Sequence, residues 1–224
     1  MKISQTYSFK GGEKFIKTHH KKELKDIATA INNLNAIACL TKESSEKTMR
    51  GKLLFSPAEM NDRLKSHLFT KGWTEKPSKS SKKAYREPRH YFGKGRYREM
   101  DGIKNLVGLE IQFGKYAFMG YDIFGKMIIF KNLGKIQCGI EIVPMANLQK
   151  QMSTGVSAFE QIMIDFQYRG ESNIDIPVYV IGLDLTEEEQ QETNNLRKLF
   201  KTNKTEALKK ITLRTYRGAP PGPK

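Results

Sequence analysis

Apolar residues recur along this chain with two distinct periods. From Val107 to Phe113 they alternate: Val107, Leu109, Ile111 and Phe113 fall on one side of a strand, and Gly108, Glu110 and Gln112 on the other. Short apolar runs predict further strands over 52–55, 137–143 (closed by Pro144) and 177–183. Helical spacing takes over between them. Leu24, Ile27, Ile31, Leu34 and Ala38 predict one amphipathic helix over 22–38. Ser56-Pro57-Ala58-Glu59 opens another, with Ser56 as cap, Pro57 at the first helical position and Glu59 completing a capping box. Met60, Leu64 and Leu68 then share its inner face. Residues 117–131 predict a helix with Phe118, Tyr121, Ile128 and Ile129 inward. Shorter helices are expected over 145–152 and from the 153–157 turn to about Tyr168, and Thr186 with Glu189 forms a second capping box. Strands alternating with helices in this way indicate an α/β layer fold.

Two stretches carry charge without a firm period. Residues 79–98 hold eight Lys or Arg against one acid, Glu87, with Tyr85, Tyr91, Phe92 and Tyr97 interleaved. Such a segment buries too little to offset its ordering entropy, so it reads as a flexible basic arm that orders on a polyanion. From Arg197 to Arg217 there are eight Lys or Arg against Glu206, over a weak apolar face of Leu196, Leu199, Leu208 and Ile211. The expected division is therefore a main domain over 1–185 and a basic helical extension over 186–224, ending in a disordered APPGPK.

Composition sharpens the choice of partner. The chain has 224 residues, 38% of them apolar, which is enough for a real core. A net charge of +15 and a pI near 9.7 point to a polyanion, nucleic acid ahead of an anionic membrane surface. No apolar run is long enough to cross a membrane, and the opening MKISQTYSFKGGEKF lacks the apolar region of a secretory signal. Cys39 and Cys138 stand far apart in apolar surroundings and read as reduced core residues of a cytosolic protein. No Cys/His group has zinc spacing.

The chemistry centres on residues 101–119. Asp101 lies a short turn before the strand that carries Glu110 and Gln112, so it can return to the same end of the sheet. Two carboxylates there suit one hard divalent cation such as Mg²⁺, which takes one or two carboxylates and keeps several waters. On spacing alone, a Glu-x-Gln on the wet face of a strand is also ordinary.

The runs LEIQFGKYAFMGYDIFGK, GIEIVPM and MSTGVSAFE, with ACLTKESSEKTMRGKLLFSPAEMN and KGWTE upstream, change that balance. In this order they resemble the BglII and BstYI group of type II restriction endonucleases, over roughly residues 7–75 and 101–183. The resemblance implies a restriction-endonuclease-like core with a central mixed sheet flanked by helices. Asp101, Glu110 and Gln112 match this group's form of the PD-(D/E)XK nuclease pattern, in which Gln replaces the usual Lys. It further implies catalysis with Mg²⁺ held by Asp101, Glu110 and the Ile111 carbonyl, and an approach to the metal by Glu75, two residues after Trp73. Lys115 and the Ser153, Thr154 and Ser157 turn match the parts that read bases, and Lys47 and Arg50 fall where the chain lies near the DNA. The expected protein is a homodimer on double-stranded DNA in the prokaryotic cytoplasm, without membrane or nucleotide cofactor, cutting a palindrome with a GATC core. Two other readings stand beside this one. A DNA-binding protein without catalysis fits the charge equally well, and a nuclease for damaged or structured nucleic acid could share the catalytic pattern.

Overall fold

The computed structural model describes residues 1–77, 85–170 and 175–216. Part of the basic arm (79–84) and the APPGPK end lie outside the described residues. The sheet is mixed and five-stranded, in the order β1 (Lys2–Phe9), β9 (Val178–Asp184), β8 (Cys138–Pro144), β7 (Val107–Ile111) and β6 (Gly102–Lys104). β7, β8 and β9 run parallel, and β1 and β6 are the antiparallel edges.

Both faces of the parallel strands are buried, so β7 has no wet side. On one face Leu109, Ile111, Ile140, Ile142, Ile181 and Leu183 meet the helices of one layer. These include α1 (Gly12–His19), α2 (Lys21–Asn32) and α3 (Pro57–Phe69). On the other face Val143, Val178 and Val180 meet α4 (Tyr116–Tyr121), α5 (Met127–Asn132) and α7 (Phe159–Arg169). A glycine lies on this second face in each strand: Gly108, Gly139 and Gly182. A Cβ there would stand 2.9, 2.3 and 2.4 Å from the sulfurs of Met100, Met127 and Met145. The space beside Glu110 that Gly108 creates is thus filled by Met100 and Ile136, and is not open to a ligand.

Several expectations need correction. The 22–38 helix stops at Asn32; Asn35 Oδ1 then accepts from the Ala38 N–H at 3.3 Å and starts a separate turn at Ile37–Cys39. Ser56 caps α3 through the Glu59 N–H at 3.3 Å, but the Glu59 carboxylate accepts instead from Thr41 Oγ1 at 2.7 Å. The described part of the basic arm is a folded hairpin, β4 (Arg89–Gly93) with β5 (Arg96–Glu99). Backbone pairing holds it, with Arg89 bonded to Glu99 at 2.8 Å and seated over the Tyr97 ring. Tyr91, Phe92 and Tyr97 remain exposed there, which is why no apolar period marked it. The C-terminal pair α8 (Glu187–Thr202) and α9 (Lys204–Tyr216) does not stand off as an extension. Leu196, Phe200, Ala207 and Ile211 join the same core as α2 and α3. Thr186 and Glu189 do form the full box. α6 (Ala146–Gln149) is shorter than predicted.

The helix after β7 differs most. α4 and α5 are joined through a π-helical turn at Asp122–Lys126. The inward residues are Met119, Ile123, Met127 and Phe130. Phe118 and Tyr121, predicted to point inward, are exposed at 56% and 39%.

Candidate functional site

The hairpin from β6 to β7 turns on two residues, Asn105 and Leu106, both at positive φ (46° and 64°). This is the mirror-image turn that a two-residue β-hairpin requires. Asn105 Nδ2 pins it to Glu23 at 2.6 Å. Gly102 pairs with Leu109, so Asp101 falls opposite Glu110 one step on. Asp101 Oδ2 accepts from the Ile111 N–H at 2.8 Å, and Lys65 of α3 reaches Asp101 Oδ1 at 2.6 Å.

A cavity of about 370 Å³ opens at this end of the sheet. It is lined by Asp101, Glu110, Ile111 and Gln112, by Asp122, Lys126, Phe118 and Tyr121 of the long helix, and by Tyr97, Arg98 and Glu99 of the hairpin. Lys126 Nζ lies 3.0 Å from Glu110 Oε2 and 2.6 Å from Asp122 Oδ1. Gln112 donates through Nε2 to Asp122 Oδ2 at 3.0 Å, and its Oε1 accepts from the Gly114 N–H at 2.8 Å. Burial pushes the Glu110 carboxyl up and the Asp101 charge adds to this, while Lys126 opposes both. Burial also raises Asp122. Lys126 would be lowered by burial, but the Glu110 and Asp122 carboxylates outweigh that and hold it charged.

Would these residues suit a divalent cation? Glu110 Oε1 is buried without a hydrogen-bond partner, so one hard oxygen is uncommitted. Asp101 supplies a second carboxylate beside it. Among the described residues no three or more His, Cys, Asp or Glu gather as a ready-made cage. Two carboxylates with remaining positions left to water is the set Mg²⁺ accepts.

Glu75 is not brought into this group. It pairs with Arg86 through Nε at 3.0 Å and through Nη2, and lines a different pocket with Trp73 and His90. The chemistry is simple: Arg86 sits opposite it across a β-bridge and presents a guanidinium fork.

The residues expected to face DNA do converge on one surface. Lys115 bridges Val156, and the Tyr116 N–H donates to the Gly155 carbonyl at 3.2 Å. The Thr154 N–H donates to Glu46 at 2.9 Å, and Lys42 donates to Ser153 Oγ. The 42–51 loop with exposed Lys47 and Arg50, the 153–155 turn and Lys115 therefore form one continuous face. Thr154's N–H holds the Glu46 carboxyl below its usual range. Ser157 departs from expectation. It is fully buried, and its hydroxyl and N–H both go to the Gly114 carbonyl, so it ties this face together from behind.

Sequence reasoning missed Lys42, Glu46, Lys65, Asp122 and Lys126. For the last two a signal existed in Asp122 and Lys126 four apart on one helix.

A mixed sheet with two carboxylates opposed across its β6–β7 hairpin, layered by helices, defines the restriction-endonuclease-like nuclease class. The crystal structure of restriction endonuclease BglII complexed with a DNA 16-mer matches it with a TM-score of 0.65 and 19% identity, over 83% of this chain and 79% of that one. The family model for restriction endonuclease BglII/BglIII matches residues 4–183, and the chain belongs to that family. It is a type II site-specific endonuclease. Among curated proteins, no match was found. The matched region ends where α8 and α9 begin, so that helical pair lies beyond it. No helix among the described residues is long and apolar enough to cross a membrane.

Proposed function

We propose that this endonuclease cuts double-stranded DNA as a Mg²⁺-dependent homodimer at purine-GATC-pyrimidine sites, before the G, leaving a 5′ GATC overhang. The observation that carries the reading is the opposition of Asp101 and Glu110 across the β6–β7 hairpin, with Glu110 Oε1 uncommitted. A bound Mg²⁺ would lower the pKa of a water and neutralise charge developing on the phosphate. Asp101, Glu110 and the Ile111 carbonyl would hold it. Gln112 does not titrate at neutral pH; fixed between Asp122 and Gly114, it can only orient. Two copies related by a two-fold axis would each read one half of a palindrome and cut one strand.

Base reading falls to the face built from Lys115, Ser153 and Thr154, with Lys47 and Arg50 on phosphates. A Lys donates to N7 of either purine and to O6 of guanine, and hydroxyls both donate and accept. Both therefore tolerate a degenerate outer position. The proposed place of action is the prokaryotic cytoplasm.

Digestion of a mapped plasmid with Mg²⁺, followed by sequencing of the ends, tests this. Discrete fragments with GATC overhangs are expected. A smear would point to a nuclease for structured DNA, absence of cutting to a binding protein, and other ends to a different site. Lys115→Ala should cost about 1–3 kcal/mol at the cognate duplex and far less at unrelated DNA. Equal losses in a gel-shift comparison would demote Lys115 to a phosphate contact.

A further inference from the structure

We propose that Lys126 is a positioning residue of the cleavage centre, serving through Glu110 and Asp122 the need for a fixed cation that Gln112 cannot meet. This rests on the nuclease reading above. The contacts form an unbroken chain. Lys126 Nζ bridges Glu110 Oε2 at 3.0 Å and Asp122 Oδ1 at 2.6 Å. Asp122 Oδ2 accepts from Gln112 Nε2 at 3.0 Å, and Gln112 Oε1 accepts from the Gly114 N–H at 2.8 Å. One end of the chain is a proposed metal ligand and the other is the residue left to orient water.

Each link fixes the next. By occupying Oε2, the ammonium leaves Oε1 as the Glu110 oxygen without a partner. By holding Asp122 Oδ1, it presents Oδ2 to Gln112. An acceptor on that side and the Gly114 donor on the other permit only one orientation of the amide. Lys126 is 17% exposed and lines the cavity itself. Lys65, the ammonium on Asp101, does not line it. The π turn supplies the placement, since Asp122 and Lys126 are its two ends.

The positioning role separates two quantities that move together when a site merely loosens. Removing an ammonium beside a metal ligand removes repulsion toward a divalent cation, so cation affinity should rise. Losing the alignment of Glu110 and Gln112 should lower turnover, by about 10–100-fold as for other partners standing behind metal ligands. The experiment measures wild type, Lys126→Met and Lys126→Arg for kcat with Mg²⁺ and for the Ca²⁺ concentration that supports cognate-duplex binding. The expected result for Lys126→Met is a fall in kcat with Ca²⁺ acting at lower concentration. Lys126→Arg, which keeps the charge, should recover part of kcat. If Lys126→Met fails to fold, Asp122→Asn decides, because it keeps the shape but leaves one acceptor where Lys126 and Gln112 need two, so the chain between them breaks. It should lower kcat at least tenfold with an unchanged melting temperature. Unchanged kcat in the folded variant, or kcat and Ca²⁺ affinity falling together, overturns the proposal. A wild type that cuts no DNA overturns the nuclease reading, and this proposal with it.

Discussion

Asp101→Asn and Glu110→Gln should each abolish strand cleavage while leaving binding of the cognate duplex intact or tighter. Each substitution keeps the shape and removes one charge from a site where carboxylates crowd together. Burial and the neighbouring Asp101 already work against ionisation of Glu110, so loss of its charge relieves repulsion, both within the site and toward a phosphate. The base-reading face stands on other segments: Lys115, the 153–155 turn and the 42–51 loop. Turnover should fall by more than the ~10–100-fold that follows loss of a group behind a metal ligand. Cleavage and gel-shift measurements on the same preparations check this. A variant that cuts at the wild-type rate removes that residue from the site.

Glu141→Met should raise stability by about 2–4 kcal/mol at pH 7, on the reasoning that each orphaned buried polar atom costs ~1–3 kcal/mol. Glu141 is fully buried in the register position beside Glu110, and neither of its carboxyl oxygens has a hydrogen-bond partner. Met follows the same unbranched path and adapts to irregular space. Burial, then the Asp122 and Glu110 charges, raise the folded pKa of Glu141 well above that of a free glutamate. Below the unfolded value of about 4.3 the group is protonated in both states and adds no pH dependence. Above it the unfolded chain loses the proton while the folded chain keeps it, so stability falls as pH rises toward the folded pKa. The gain from Glu141→Met should therefore be larger at pH 7 than at pH 4. Denaturant titrations at the two pH values measure it, and equal gains would show that Glu141 is ionised in the folded protein.

The parts of this fold that the sequence exposes are those in which one residue type decides the outcome. Thr186 and Glu189 cap α8 because each side chain reaches the other's backbone N–H, an arrangement written in two residues three apart. The strand through Glu110 is legible from its alternation, and Asp101 from the short turn beside it. Edge strand β1 was not legible. Of its eight residues only Phe9 is buried, and its register breaks between Ile3 and Gln5. The β4–β5 hairpin was hidden for the same reason, since backbone pairing and not burial defines it. α9 docks through Ala207 and Ile211, a face too small to stand out among lysines. The site was half legible. Asp101, Glu110 and Gln112 lie within one hairpin and its continuation, whereas Lys126 arrives from a helix whose winding no pattern of apolar residues announces. Conversely, nothing in the sequence around Glu141 shows that it lies beside Glu110, which only the pairing of β8 with β7 brings about.

Considered as a length, a π turn is an α-helix carrying one additional residue. The turn at Asp122–Lys126 needs none for packing: Met119 before it, Ile123 within it and Met127 and Phe130 after it would still share a face on a regular helix. A chain shorter by one residue between Tyr121 and Met127 would keep that layer and lose the angle at which Asp122 and Lys126 stand together beside Glu110. Insertions and deletions here thus separate folding from chemistry. Among relatives of this chain, a helix of regular length at this point would mark a protein that retains the sheet and its helices but has dispensed with the arrangement around Gln112.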